Sequence, residues 1–382
     1  MKSLKYVILS LVLVLFFAFN TQNALSVNQK ILFATETADA WAPTFQLCWN
    51  ELIKIVGTSK VEFVNGNPEL ANELNKQKFN KTDISEDSYY ISVTKMTLNH
   101  KKEIEKAILN KFKEKSDILN SFKFENIPDE KTNKWFIYSI LLKNFKFVTP
   151  YNILDSDYFN KNTNTKYKYF GFVPGQIDKK AKDIIENGYT ESLFYVNDDD
   201  FALKLIDKNK KDEMIIYLSN SKESLENVYN EILEKSNKRN DFIEKRKNDI
   251  KNTYGKNVRI KYNYFYKIPF MHINEKFNFD KELAGKPIKD KTYNQTGYTW
   301  TILKTLQTIK FDMDNEGAKL KSEAAIAVMK NTAVARPEMI INLNDYYYFD
   351  RPFFIYLKES GKDKPYFAAK VKDGKYLVKA AK

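Results

Sequence analysis

The chain has 382 residues, 43% of them hydrophobic and 29% charged, with a formal charge of +13. That apolar share supports a real core and excludes wholesale disorder, and 11 glycines with 10 prolines exclude collagen-like and Pro/Gly low-complexity chains. One cysteine, Cys48, and two histidines, His100 and His272, exclude an intrachain disulfide and a four-ligand N/S zinc site, so neither a metal nor a cofactor is expected.

The chain opens with Lys2 and Lys5, an uncharged and mostly apolar run from Tyr6 to Phe19, and a polar stretch ending at the small Ala24. This is the layout of a secretory signal peptide cut after Ala24. The rival reading is an uncleaved anchor, which wants about 20 apolar residues and finds fewer here. The expectation is a secreted or periplasmic protein with no membrane span after cleavage. No repeat and no Pro- or Ser-rich linker divides the rest, so residues 25–382 read as a single domain, expected as a monomer. Lys and Glu interleave, as in KKEIEKAILNKFKEKSD (101–117), like the solvated face of a helix. Scattered rather than clustered charge argues against a nucleic-acid partner.

In WAPTFQLCWNELIKIVG (41–57) the apolar Phe45, Cys48, Trp49, Leu52, Ile53 and Val56 make a helical stripe, with Pro43 near its start and Gly57 as its stop. Cys48 on that stripe reads as a small buried hydrophobe. GNPELANELN (66–75) predicts a helix with Asn67 as N-cap and Pro68 at its first position. Residues 100–121 predict an amphipathic helix, and KWFIYSILLKNFKFVTPY (134–151) a buried strand. Three short strands follow at 192–196, 201–207 and 213–219, then a helix over 221–252 capped by Ser221 or Ser224. The remainder is strand-rich. Helices first and strands later, without regular alternation, read as α+β with largely antiparallel sheets.

Catalytic signatures are missing. No GxGxxG, GxxxxGKS/T or GxSxG occurs. His100 lies in the charged helix, His272 in a strand and Cys48 on a different helix, so no Cys–His or Ser–His pair suggests itself. Asp198, Asp199 and Asp200 sit side by side along a turn and read as solvated, without the fixed opposition that paired-carboxylate chemistry requires. The chain is not expected to be an enzyme.

The stretch 305–374 carries the most information. Leu306 to Asp314 alternates with period 2 and breaks at Asn315-Glu316-Gly317. Alternation then resumes: Ala318, Leu320, Ser322, Ala324, Ile326 and Val328 share one face, and Lys319, Lys321, Glu323, Ala325, Ala327 and Met329 the other. No Pro or Gly interrupts 318–330, which is competent as a half-buried strand and also as a helix with Leu320, Ala324 and Val328 on one stripe. A Pro-containing stretch and the strands PFFIYL and YFAAKV follow.

FDMDNEG, SEAAIAV, FDRPFFIYL and PYFAAKV, in that order, resemble the C-terminal part of the serpins. FALKLIDKNKKDEMIIYLSNSKESLENV (201–228), YKIPFMHINEKFNFDKELAGKPI (266–288) and SILLKNFKFVTPY (139–151) are similar to upstream serpin pieces, so the resemblance spans roughly 134–374. The sequence departs from the pattern where Tyr138 and Gln307 stand for an Asn and a His, where Asn67-Pro68 replaces an Asn/Ser-Pro signature, and where Asn315 replaces the hinge Glu. Lys319, Leu320 and Lys321 follow the hinge in place of small residues, and the loop to Pro352 is long.

The resemblance implies a serpin-like α+β fold, N-terminal helices on large, mostly antiparallel sheets, with an exposed or insertable reactive loop. It implies a hinge at Asn315, Glu316, Gly317 and Ala318, and an inserting strand whose inward face is Leu320, Ser322, Ala324, Ile326 and Val328. Counting without gaps from Gly317 puts the reactive bond at Asn331-Thr332. Aligning Ser322-Glu323-Ala324-Ala325 with the family hinge puts it at Ala335-Arg336. Lys330 and Arg336 suit trypsin-like enzymes, and Pro337 disfavours cleavage after Arg336. The implied partner is a target serine or cysteine protease. The alternatives are a non-inhibitory serpin-fold binding protein of the envelope or extracellular space, which the departures favour, and an unrelated exported α+β protein.

Overall fold

The computed structural model describes residues 39–160, 164–175, 184–255, 258–318 and 340–381. The expected signal peptide at 1–24, the inward face Leu320–Val328 and the bond candidates Lys330, Asn331, Thr332, Ala335 and Arg336 lie outside them. The chain divides into two compact units.

The smaller unit joins 49–78 to 278–305. It holds a three-stranded sheet in which β13 (Pro287–Lys289) lies between β14 (Thr299–Thr301) and β2 (Glu62–Phe63). It also holds helix α2, Glu69–Leu74. Pro68 takes the N-cap place there, because Asn67 is engaged elsewhere. Its Oδ1 accepts from Phe63 N at 2.8 Å and its amide donates to Val61 O at 3.3 Å. The expected cap is therefore a turn residue bound to β2.

The larger unit joins 39–48, 79–277 and 306–382. A six-stranded antiparallel sheet runs β1 (Ala40–Trp41), β19 (Pro365–Val371), β18 (Phe353–Glu359), β10 (Asp212–Leu218), β9 (Asp200–Ile206), β8 (Thr190–Asn197). Its central strands read as apolar runs because both faces are covered: Phe353 to Leu357 and Met214 to Leu218 are buried throughout. A four-stranded sheet runs β17 (Ile340–Tyr348), β11 (Arg259–Pro269), β7 (Lys166–Phe172), β6 (Asn152–Tyr158), with β11 and β17 parallel. A second four-stranded sheet, all antiparallel, runs β12 (Met271–Phe277), β15 (Gln307–Asp314), β16 (Gly317–Ala318), β5 (Phe145–Lys146). The fourth sheet pairs β3 (Tyr89–Lys95) with β4 (Trp135–Leu141). One aromatic-rich core holds Phe145, Tyr169, Phe170, Phe172, Phe201, Tyr266, Tyr347 and Phe353. The α+β class with mostly antiparallel sheets is as read from the sequence.

Helix boundaries follow burial. α1 spans Thr44–Val56 and stops at Gly57, which takes a positive φ of 73°. α3 spans Leu98–Phe112, nine residues short of the predicted end, because Lys113 turns left-handed and no apolar side chain lies between Phe112 and Ile118 to pack a further turn. The helix predicted over 221–252 is two, α4 (Leu225–Asn237) and α5 (Arg239–Tyr254), breaking at Lys238. Ser224 is the cap, its Oγ accepting from Asn227 N at 3.1 Å. The strand predicted over 134–151 is likewise two, β4 and β5, with Trp135 exposed. Among the described residues no helix is long and apolar enough to cross a membrane.

Candidate functional site

The predicted hinge is a tight turn followed by a wedge. β15 alternates as expected, Gln307, Ile309, Phe311 and Met313 inward and Lys310 and Asp312 outward. After the turn at Asn315-Glu316, Gly317 and Ala318 form β16, both buried. β16 has a partner on each side. Met313 and Asp314 oppose Ala318 and Gly317 on β15, and Phe145 and Lys146 oppose them on β5.

The turn is tied to the segment beyond β5. Phe147 N donates to Glu316 O at 3.0 Å and Tyr151 N to Asn315 O at 2.7 Å. Asn315 Nδ2 donates back to Tyr151 O at 3.1 Å, and Glu316 N donates to Asp314 Oδ1 at 2.8 Å. The structure thus gathers all four predicted hinge residues at one place. It adds Phe145, Lys146, Phe147 and Tyr151, whose local signal was only a Phe-Lys-Phe alternation.

Tyr138 and Gln307 are both inside. Gln307 Nε2 donates to Ala42 O and Thr44 Oγ1, each at 2.9 Å. Cys48 sits on the same helix start and donates to Ile137 O of β4 at 3.9 Å. It is half-buried rather than fully buried as the helical stripe suggested. Tyr138 lies in a separate apolar cluster with Ile104, Ile108, Leu119 and Phe136, and burial pushes its hydroxyl up to about 12.

The candidate catalytic types stay apart. His100 Nδ1 lies 3.1 Å from Thr97 Oγ1 and 3.3 Å from Asp129 Oδ2 at the start of α3. His272 Nδ1 lies 2.5 Å from Asp312 Oδ1 across β12 and β15, in solvent rather than in a core. Of the three aspartates at 198–200, read as solvated, Asp198 and Asp199 are exposed and Asp200 is half-buried, and each has a partner. Asp198 accepts from Tyr195 Oη, Asp199 from Arg351 at 2.8 Å, and Asp200 from Lys235 at 2.8 and 2.9 Å. Lys235 on α4 and Arg351 before β18 supply the cations at Asp200 and Asp199. Among the described residues no group of His, Cys, Asp or Glu is arranged to hold a metal.

The chain re-enters the described structure at β17, which is clamped. Arg246 of α5 makes a bidentate pair with Asp345, at 2.5 and 3.1 Å, and stacks 4.9 Å from the Tyr195 ring. Burial pushes the Asp345 carboxyl up, and Arg246 pulls against that. Arg246→Met is therefore expected to cost about 3 kcal/mol at neutral pH by stranding a buried charge. A carboxyl raised in the folded state favours folding below its unfolded value, about 3.9, and loses that contribution as pH rises. The variant's deficit in urea unfolding should accordingly shrink as pH falls toward 4; a pH-independent deficit would mean that packing, not charge, sets it.

No family model and no curated protein matches the sequence. Solved structures do. Human thyroxine-binding globulin is 12% identical, over 91% of this chain and 97% of that one, with a TM-score of 0.43. The thermophilic serpin tengpin in its native state is 11% identical, over 91% of each chain, with a TM-score of 0.43. Maspin is 12% identical, over 87% of this chain and 92% of that one, with a TM-score of 0.44. These likenesses all have TM-scores under 0.5, and no residue's role is taken from them.

Proposed function

We propose that the chain is an exported protease inhibitor of the serpin kind, in which residues after Ala318 extend β16 as a new strand once the loop is cleaved. The observation that carries the reading is β16 itself, two residues already in ladder between β15 and β5. Residues Leu320, Ser322, Ala324, Ile326 and Val328 would continue the inward face begun by Ala318. A one-residue slip would turn Lys319 and Lys321 inward at several kcal/mol each, so the register is well specified. A target serine protease would attack a loop carbonyl through its hydroxyl oxygen, forming the ester as the peptide bond breaks and the new amine leaves with the proton. Strand addition then competes with hydrolysis of that ester. The partner is a serine or cysteine protease, met outside the cell after removal of residues 1–24.

The second reading is a serpin-fold binding protein without inhibition. It is favoured by Lys319, Leu320 and Lys321, bulky where fast insertion wants small residues, and by Gln307, whose amide is committed to Ala42 and Thr44.

A denaturing gel after incubation with trypsin, elastase and subtilisin separates the two. A band at the summed mass, stable to heat and detergent, is expected for inhibition, and Ala324→Arg should abolish it while leaving the fold intact. A nicked chain beside active protease would sink the inhibitor reading and leave the binding protein.

A further inference from the structure

The three-stranded sheet of the smaller unit has an open edge. β13 lies between β14 and β2, and β14 has no strand on its far side among the described residues. The ladder decides which backbone groups β14 shows there. Val64 N donates to Pro287 O at 2.9 Å, so Pro287 faces β2. Peptide groups alternate in direction along a strand, so Ile288 faces β14, and Trp300, opposite Ile288, faces back. Ile302 agrees, its carbonyl accepting from Gly285 N at 2.9 Å. Thr299 and Thr301 therefore aim their N–H and C=O groups at the open edge.

That edge is unguarded. Proteins blunt open edges with lysines, prolines or bulges. β6 and β8, edges of larger sheets, carry Asp155 and Asp157 or Glu191, and both pair with a bulge. Residues 297–303, GYTWTIL, hold no charge and no proline in a chain 29% charged, and β14 pairs without a bulge. Thr299 and Thr301 are exposed and Trp300 is half-buried, while Tyr298 and Leu303 on either side are 70% and 60% exposed.

We propose that β14 is a docking edge for a second copy of this chain, the two β14 strands pairing antiparallel about a twofold axis at Trp300. Thr-Trp-Thr reads the same in both directions, as a twofold antiparallel pairing favours. Thr299 then lies opposite Thr301 of the second copy, and each such pair exchanges two N–H···O=C bonds, four in all. The two Trp300 residues meet at the close, non-hydrogen-bonded position, with Cα atoms about 4.5 Å apart. Tyr298 meets Ile302, Leu303 meets Gly297, and no charge faces its like, although each chain carries +13. A foreign strand would find the same backbone groups without these matched side chains, which favours a second copy. Two three-residue strands are small beside a standard interface, so the dimer is weak, with a Kd of about 100 µM, and dilute protein is the monomer that the sequence suggests.

Sedimentation equilibrium of the purified protein from about 1 to 300 µM tests this, and wild type is expected to pass from monomer to dimer across that range. Thr299→Lys with Thr301→Lys sets like charges opposite each other and should weaken the dimer about tenfold or more. Thr299→Glu with Thr301→Lys sets opposite charges in both pairs and should tighten it about two- to threefold. Both positions are exposed, so the melting temperature should stay within about 2 °C of wild type. Because both copies are positively charged, about 0.5 M salt should strengthen the wild-type dimer. A wild type that stays monomeric throughout overturns the proposal, and so does a dimer that the two lysines leave intact. A monomer that binds the synthetic peptide GYTWTIL also overturns it and leaves the edge to a foreign strand. A monomer whose melting temperature falls with the two lysines overturns it in favour of a segment of the same chain.

Discussion

Gly317→Ala is expected to drive β16 out of its slot. Gly317 has a φ of +142°, where an L side chain is strained. An added Cβ would lie 2.3 Å from Phe145 O and 2.8 Å from Lys146 Cα, backbone atoms that cannot rotate aside. Relief requires β16 to leave β5, giving up the Gly317↔Lys146 and Ala318↔Phe145 pairing, or β5 to move off the core that Phe145 fills. Overpacking of this kind costs about 1–3 kcal/mol, and the backbone strain adds to it. The urea midpoint should fall, and exchange of the amides in 145–147 and 313–318 should quicken. Glu316→Gln, exposed at the same turn, should stay within about 0.5 kcal/mol of wild type. If the two variants behave alike, β16 is not held between β5 and β15. Under the inhibitor reading proposed above, the same substitution also reports on function, because a wedge that cannot seat cannot be extended; that reading expects the complex to be lost while cleavage persists.

What could be read from the residues alone was local. The alternation of Gln307 to Asp314 and the Gly-containing break after it located the end of β15 and the turn that follows, since one buried face and one glycine suffice to specify a strand end. The partners of that turn were not legible. Tyr151 lies 164 residues from Asn315, and a two-residue strand such as Phe145-Lys146 has too few positions to show a period. The Asp117–Lys310 pair escaped for the same reason, since Asp117 reads as one more charge in a Lys/Glu-rich helix until Lys113 ends that helix. Asn67-Pro68 misled by imitating a cap.

The largest stability effect is expected from Lys143→Met, at the turn that joins β4 to β5. Lys143 Nζ lies 2.5 Å from Glu359 Oε1 and 3.0 Å from Asp212 Oδ1, and all three are nearly buried. Asp207, also buried, spends its carboxylate on the backbone, accepting from Lys211 N at 2.6 Å, Asp212 N at 2.9 Å and Asn209 N at 3.1 Å. Lys143 is thus the cation that both Glu359 and Asp212 face, and removing it leaves two buried carboxylates without a counter-charge, a cost of about 3–5 kcal/mol. Those two respond to pH in opposite senses. Burial would raise Glu359, but Lys143 and the Ser85 amide and hydroxyl outweigh it and hold the carboxyl below its ordinary value. Its contribution is present above the unfolded value, about 4.3, and is lost as pH falls through the folded one. For Asp212 burial outweighs Lys143 and the carboxyl is raised, so it opposes folding as pH rises. Glu359→Gln should therefore destabilise at pH 7 well beyond Asp212→Asn. The deficit of Lys143→Met should narrow as both carboxyls protonate toward pH 4. Equal effects of the two carboxyl substitutions across that range would mean that Lys143 serves Asp212 as much as Glu359. The consequence reaches the wedge, because Lys208 N donates to Lys146 O at 2.7 Å and so ties β5 to the Asp207 turn. A loosened Lys143 cluster should quicken exchange in β5 and β16 before the global transition.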